Sequence, residues 1–187
     1  QIGEVKTFGD TDSAGARQIL VAAKKAGKSN LPAESVYGIV AAYKIPTAVW
    51  KTAKDAEAAV AVAAEIGYPV VVKADAASIL HKSDMGGVAV DLKDGDAVRA
   101  TVEKMQQRFP DDDLSFFTQQ YLPGGLELIM GAKAEEGLGH ALMFGLGGIF
   151  VEIMKDVVFN LTPVSAGEAG QMLSAIKGAS MLEGVRG

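Results

Sequence analysis

Cysteine is absent from the 187-residue sequence, histidine occurs only twice and tryptophan once. Without cysteine the chain can form no disulfide, no thiolate metal site and no thiol nucleophile, which fits a reducing compartment, and we expect a cytoplasmic location. No apolar run approaches the roughly 20 residues of a membrane span. The net charge is −5 and no basic run occurs, so neither nucleic acid nor a membrane is expected as a partner. Because the first residue is Gln1 rather than methionine, we expect a piece of a longer polypeptide.

Glycine is abundant, with 22 residues, in an otherwise ordinary globular composition of 49% hydrophobic and 22% charged residues. Segments whose apolar residues recur at helical spacing alternate with short apolar runs of strand length. Two predicted strand–loop–strand hairpins interrupt this alternation. The pattern predicts an α/β or α+β fold of two lobes, with mixed sheets and flanking helices. Helices are predicted at 14–26 and 95–109, and a further helix starts at Pro32. The inner face of that helix would carry Val36, Ile39, Val40 and Tyr43. Two more helices are predicted from capping boxes, one from Thr52–Asp55 to Gly67 and one from Ser165–Glu168 to about 178. Strands are predicted at 47–49, 70–75, 88–92, 116–122, 126–133 and 141–144.

Lys73 follows an apolar run of three valines in the predicted strand 70–75. Burying its ammonium group is costly unless an anion meets it, so one hypothesis is a phosphate contact. The alternative is that the strand ends there and Lys73 reaches solvent. Residue spacing alone does not decide between the two.

His81 lies in a polar loop that ends in a glycine pair. A neutral imidazole is a competent nucleophile, and a phosphohistidine could form on one ring nitrogen while the other donates to Asp84. Lys82 and the amides of Gly86 and Gly87 could then hold phosphate oxygens. The alternative is a loop histidine without a chemical role, and His140 is assigned none.

A second glycine cluster occupies 145–148, and three of those four residues are glycine. It lacks the Gly-Lys-Ser/Thr of a Walker A loop, and Phe150 replaces the third glycine of the dinucleotide fingerprint. The cluster predicts either a hairpin turn or a close approach of the Gly147 and Gly148 backbone to a ligand. The nearby Asp156 is interpreted as a solvated charge.

The segment Gln119, Gln120, Tyr121 and Leu122 ends a predicted strand just before Pro123 and two glycines. Backbone groups at such an edge could bind a purine base, with Tyr121 or Leu122 as its apolar floor. Glu127 follows within reach of a ribose.

Together these stretches resemble the ATP-grasp domain of the NDP-forming acyl-CoA synthetases, the group of ADP-forming acetyl-CoA synthetase and succinyl-CoA ligase. The resemblance runs from about Ala16 to the end of the chain. The stretches that carry it are 67–73, 79–88, 123–131, 143–152 and 182–187. Five ordered motifs over most of a chain are far more specific than any one of them.

The resemblance implies two lobes that close on ATP: a small lobe at 50–123, and a larger, incomplete lobe at 124–187 that includes the linker and helices of 1–49. Lys73 would contact ATP phosphates, segment 119–122 would hold the adenine and Glu127 would face the ribose. His81 would relay a phosphoryl group between ATP and a histidine of a CoA-ligase domain. The implied reaction interconverts acyl-CoA, ADP and phosphate with acid, CoA and ATP.

Two features depart from the family pattern. Asn160 stands where the family usually has an arginine, which puts a phosphate contact in doubt. The Mg²⁺ ligands of the family lie in later motifs that do not occur before Gly187, so no metal ligand is assigned in this chain. We therefore expect the chain alone to bind nucleotide poorly and to be inactive.

The resemblance implies partner domains that bind CoA, acyl-CoA and the carboxylic acid, fused upstream in one enzyme. A second hypothesis is an ATP-grasp-like regulatory module of a protein lysine acetyltransferase. A third is a binding lobe with degenerate sites, against which the retention of Lys73, His81 and Glu127 argues.

Overall fold

The computed structural model describes residues 3–28, 30–76, 79, 85–110, 113–148 and 155–184. The chain divides into two compact units. The N-terminal unit is Gly9–Pro123, and the C-terminal unit is Gly124–Gly187 together with Gln1–Phe8. Residues 9–49 thus cluster with 50–123, and the assignment of 1–49 to a larger lobe stays a prediction. Among the described residues, no helix is both long enough and apolar enough to cross a membrane.

Where the structure describes it, the N-terminal unit contains four helices and a four-stranded sheet of order β1-β4-β2-β3. In chain order its elements are α1 (Ser13–Lys25), α2 (Ala33–Ala42), β1 (Trp50–Ala53), α3 (Ala56–Ile66), β2 (Val70–Asp75), β3 (Val88–Leu92), α4 (Gly95–Arg108) and β4 (Ser115–Gln120). Every adjacent pair of strands in this sheet is antiparallel. Because β4 lies between β1 and β2, those two strands run in the same direction without pairing.

Aspartate side chains set the starts of three of these helices. Asp12, Asp55 and Asp94 each accept a hydrogen bond from the amide three residues later, at 2.8 Å in all three cases. Each bond satisfies one of the amides that a first helical turn leaves without an intrahelical acceptor. The predicted capping box at Thr52 is wrong, because Thr52 belongs to β1 and is paired with Phe117.

The two faces of this sheet differ because side chains alternate along a strand. One face presents Val70, Val72, Ala74 and Phe116 to α3 and α4 and forms the main core. The register pairs Lys73 with Phe117 and Val71 with Gln119, so Lys73 and Gln119 lie on the opposite face. The fold thereby keeps Lys73 away from the helix-covered core.

In its described residues, the C-terminal unit combines a three-stranded antiparallel sheet of order β5-β6-β7 with two helices. Its elements are β5 (Leu128–Glu135), β6 (Gly139–Leu146), β7 (Val157–Leu161), α5 (Ala166–Ala175) and α6 (Ala179–Leu182). The core is small and consists of Phe144, Leu146, Met172 and Ile176. At the start of α5, Ser165 and Glu168 form the predicted capping box.

The predicted α+β architecture with flanking helices is confirmed, while three details differ. The described strand pairs are all antiparallel, whereas mixed sheets were expected. The strand predicted at 47–49 lies instead at Trp50–Ala53, where the ladder with β4 forms. Strand β7 was not predicted, although its β-branched residues Val157 and Val158 are a usable signal.

The inner face predicted for α2 is also partly wrong. Val36 and Tyr43 are exposed. The aromatic residue that packs inward is Tyr37, which contacts Trp50 and Phe117 on the sheet.

Candidate functional site

Lys73 lies at mid-strand on the sheet face opposite the core, half-buried rather than at a strand end in solvent. Its ammonium Nζ donates a hydrogen bond of 2.9 Å to the side-chain oxygen Oε1 of Gln119. The same Nζ lies 5.9 Å from the centre of the Phe117 ring, within the range of a cation–π contact. The Gln119 oxygen and the Phe117 ring therefore stabilise and orient the positive charge of the Lys73 ammonium.

Three aromatic rings from different elements pack beside this lysine. Trp50 of β1 and Phe117 of β4 are stacked with ring centres 5.0 Å apart, and Tyr37 of α2 lies 5.2 and 4.7 Å from them. The Tyr37 hydroxyl donates a 3.3 Å hydrogen bond to Gln119 Oε1. Burial raises the pKa of the Tyr37 phenol, so the hydroxyl stays protonated at neutral pH. No motif in the sequence indicates this cluster, because only the strand register brings its members together.

Asp75, at the end of β2, joins α2 to the same sheet face. Its Oδ2 accepts a 3.0 Å hydrogen bond from the amide of Ala33, the first residue of α2. A carboxylate at a helix N-terminus satisfies an otherwise unbonded amide and complements the helix dipole. Since Pro32 provides no side-chain cap, Asp75 supplies this contact from a distant strand.

The predicted adenine segment lies at the end of β4 and just beyond it. The amide of Gln120 donates to the carbonyl of Val49 at 2.8 Å, and the amide of Tyr121 donates to the carbonyl of Pro69 at 3.1 Å. These two amides are therefore already engaged within the unit. Leu122 is 61% exposed and offers an apolar surface.

Of the predicted phosphate loop, the structure describes the glycine pair; His81, Lys82 and Asp84 lie outside the described residues. Gly86 has a positive φ of 72°, and a Cβ there would lie 3.3 Å from the guanidinium carbon of Arg108. The carbonyl of Gly87 accepts a 2.8 Å hydrogen bond from the amide of Ala74. The glycine pair is therefore anchored to β2 and lies beside a cation at the end of α4.

In the C-terminal unit, the structure brings Glu127 together with the second glycine cluster. The amide of Gly147 donates a 2.7 Å hydrogen bond to the carbonyl of Glu127. A Cβ on Gly148, whose φ is 58°, would lie 2.5 Å from the Glu127 carboxylate oxygen Oε2. Any larger residue at Gly148 would displace that carboxylate. The backbone of Gly147 and Gly148 therefore lies close to Glu127. That these two glycines form a phosphate loop stays a prediction.

The interpretation of Asp156 as a solvated charge is wrong, because only 3% of the residue is exposed. Its carboxylate accepts hydrogen bonds from the amides of Lys177 and Gly178 at 2.6 and 2.8 Å. A Cβ on Gly145 would lie 2.3 Å from the Asp156 carbonyl oxygen, so this first glycine of the cluster serves packing. Asp156 joins the start of β7 to the turn between α5 and α6.

Within the part of the chain that the structure describes, no group of three or more histidine, aspartate and glutamate residues could hold a metal ion.

Residues 22–187 match the family model described as "ATP-grasp domain". The β subunit of ADP-forming acetate–CoA ligase I from Pyrococcus furiosus is 40% identical over 177 residues, which cover 92% of this chain and 76% of that subunit. The ADP-forming 4-hydroxybutyrate–CoA ligase of Nitrosopumilus maritimus is 38% identical over 99% of this chain, but the match spans only 27% of that protein. The chain is thus similar to most of one subunit and to about a quarter of a longer ligase.

Solved structures of an acetyl-coenzyme A synthetase are also similar to this chain. Acetyl-coenzyme A synthetase 1 of Ca. Korarchaeum cryptofilum, in complex with coenzyme A and Ca-AMPCP, superposes with a TM-score of 0.85 and 36% identity, covering 92% of this chain and 77% of that one. A complex of the same synthetase with coenzyme A and Mg-AMPPCP, whose phosphohistidine segment points towards the nucleotide binding site, gives a TM-score of 0.77 at 36% identity, covering 92% and 76%. The predicted ATP-grasp fold is confirmed. The chain belongs to the ATP-grasp domain family, among the relatives of the ADP-forming acetate–CoA ligase β subunits.

Proposed function

We propose that this chain is the nucleotide-binding part of an ADP-forming acyl-CoA synthetase, which interconverts acyl-CoA, ADP and phosphate with acid, CoA and ATP. The observation that carries the proposal is the 40% identity to an acetate–CoA ligase β subunit over 92% of the chain. These relatives favour the synthetase over a regulatory module of a lysine acetyltransferase. The cytoplasmic location expected from composition stays a prediction.

Lys73 is the proposed anchor for the ATP or ADP phosphates. Its Nζ donates to Gln119 Oε1, an uncharged amide oxygen, and this contact orients the ammonium. A phosphate oxygen arriving there would gain a charge-assisted hydrogen bond, which is stronger than a neutral one. The half-buried, oriented ammonium of Lys73 supports a phosphate contact over the alternative of a solvent-exposed lysine.

The adenine is proposed to bind along segment 119–122, with Leu122 as an apolar surface. The amides of Gln120 and Tyr121 already donate to the carbonyls of Val49 and Pro69. The base would therefore form hydrogen bonds with other groups of the segment, such as backbone carbonyls. Glu127 is proposed to accept hydrogen bonds from the ribose hydroxyls. Its carboxylate over Gly148 is an acceptor in a defined position.

His81 is proposed as the phosphoryl carrier because it occupies the histidine position of the family motif at 79–88. A neutral ring nitrogen would attack the γ-phosphorus of ATP, forming a P–N bond while the bond to the bridging oxygen breaks and ADP leaves. Asp84 would accept a hydrogen bond from the other ring nitrogen, and Lys82, Gly86 and Gly87 would hold phosphate oxygens. CoA-binding and CoA-ligase domains, fused or separate, would take the phosphoryl group onward and bind the acyl substrate.

The relay is tested with the full-length protein, ATP labelled in its γ-phosphate and Mg²⁺. We expect an acid-labile label on the wild type and on His140→Ala, a matched control at the other histidine. His81→Ala should carry no label. Because a histidine of the ligase domain could be labelled through His81, its alanine variant is included, and in that variant the label should remain on His81.

Persistence of the acid-labile label in His81→Ala, whether or not the ligase-domain histidine is also replaced, would overturn the relay through His81. Loss of label in His81→Ala with unchanged ADP binding would show that transfer, not nucleotide binding, had been removed.

A further inference from the structure

We propose that Tyr37 and Gln119 are positioning residues that hold the ammonium of Lys73 in place for nucleotide phosphates. The inference rests on the proposed function, in which Lys73 contacts those phosphates. It gives the Gln119 side chain a role other than adenine binding, and it adds Tyr37, which lies in α2 and outside the motifs that carry the family resemblance.

The first support is the shared acceptor. Gln119 Oε1 accepts from Lys73 Nζ at 2.9 Å and from the Tyr37 hydroxyl at 3.3 Å. An amide oxygen has two lone pairs, so both bonds can form at once. The Lys73 ammonium can only donate, so it requires the oxygen end of the Gln119 amide, and turning the amide over would place a donor NH₂ group against it. The Tyr37 hydroxyl donates to the same oxygen and so helps to hold the amide in that orientation.

The second support is the anchoring of Tyr37 itself. Its ring contacts Trp50 and Phe117, and these two rings stack on each other with centres 5.0 Å apart. Aromatic pairs at such distances add stability beyond the burial of their area. The hydroxyl thus donates from a ring whose position two neighbours determine. Phe117 also lies beneath the lysine, since Lys73 Nζ is 5.9 Å from its centre.

The third support is the energetics of binding. A lysine side chain has four rotatable bonds, and ordering it on binding costs free energy. A lysine already held by Gln119 has lost part of that freedom before the nucleotide arrives. Removing the Tyr37 hydroxyl should therefore weaken the contact with phosphates and leave recognition of the nucleoside unchanged.

The test compares the binding of ADP, ATP and adenosine to the full-length protein by titration calorimetry. Tyr37→Phe removes only the hydroxyl, and Gln119→Met keeps the size of the side chain but removes its acceptor. We expect each variant to bind ADP and ATP about threefold to tenfold more weakly, the range of one net hydrogen bond, with adenosine affinity unchanged. Tyr43→Phe makes the same chemical change at an exposed tyrosine of the same helical region and should bind all three as the wild type does.

A double-mutant cycle with Lys73→Met separates this role from general packing. In the Lys73→Met background, Tyr37→Phe should cause no further loss of ADP affinity. Equal weakening of adenosine and ADP, or full additivity with Lys73→Met, would overturn the positioning role. If Lys73→Met binds ADP less tightly while Tyr37→Phe and Gln119→Met bind as the wild type, only the positioning role fails. If Lys73→Met itself binds ADP normally, the phosphate role of Lys73 fails and the inference fails with it.

Discussion

Asp156 and Glu127 carry the same functional group in the C-terminal unit, yet their surroundings give them different roles. The Asp156 carboxylate is buried and accepts two backbone amides. Glu127 is exposed, and its carboxylate lies over the backbone of Gly148. A buried carboxylate with two backbone donors stabilises the chain around it, whereas an exposed one remains accessible to a ligand.

We predict that Asp156→Ala destabilises the region around α5 and α6. The change removes the acceptor of the Lys177 and Gly178 amides, and a hydrogen bond to a charged group contributes about 1.5–3 kcal/mol. Hydrogen exchange of peptides covering 166–182 should accelerate by at least the factor of about 10 to 100 that corresponds to one such bond. Asp156→Asn keeps one acceptor oxygen and should have an intermediate effect.

Asp10→Ala, at an exposed aspartate, is the control and should leave exchange in 166–182 unchanged. Exchange in Asp156→Ala that equals the wild type would show that these hydrogen bonds contribute nothing to the local stability.

At the scale of elements, the helices were more predictable than the strands. Helix starts carry local signals, and the carboxylates of Asp12, Asp94 and Glu168 lie within three residues of the groups they bond. A strand exists only through a partner that is distant in sequence. Strand β1 therefore lies three residues beyond its predicted start, where pairing with β4 begins. Strand β7 was not predicted although its partner β6 was, because the pairing of the two strands is not a local feature of the sequence.

The capping box of α5 gives a pH-dependent prediction. Hydrogen bonds from the side chain and then the backbone of Ser165 lower the pKa of Glu168 below its ordinary value of 4.5. A depressed folded-state pKa means that the ionised form stabilises the fold above the unfolded-state value, and this contribution is lost as pH falls through the folded-state pKa. At pH 7, Glu168→Gln should therefore unfold at a lower temperature than the wild type, and the difference should shrink as the pH falls below 4.5.

Thermal unfolding of both proteins over that pH range measures the effect. Glu136→Gln, in the exposed turn between β5 and β6, should show no comparable pH-dependent difference. A difference between Glu168→Gln and wild type that is constant with pH would contradict the assignment.

At the scale of the whole molecule, family membership was predictable and the detailed site was not. Five motifs in the right order identify the family even though each is weak alone. The contact between Lys73 and Gln119 spans 46 residues and depends on the register of β2 with β4, which no local pattern contains. Tyr37 adds an element from outside the sheet, so only the folded chain shows that these three residues act on one another.

The nucleotide products of the complete reaction show whether the phosphoryl group of ATP is transferred as proposed. The full-length protein would be incubated with ATP, CoA, a carboxylic acid and Mg²⁺, and the products followed by phosphorus NMR. Because the proposed relay breaks the bond to the γ-phosphorus, we expect ADP and orthophosphate together with acyl-CoA, and no products from Lys73→Met. Formation of AMP and pyrophosphate, or acyl-CoA formation that survives Lys73→Met unchanged, would contradict it.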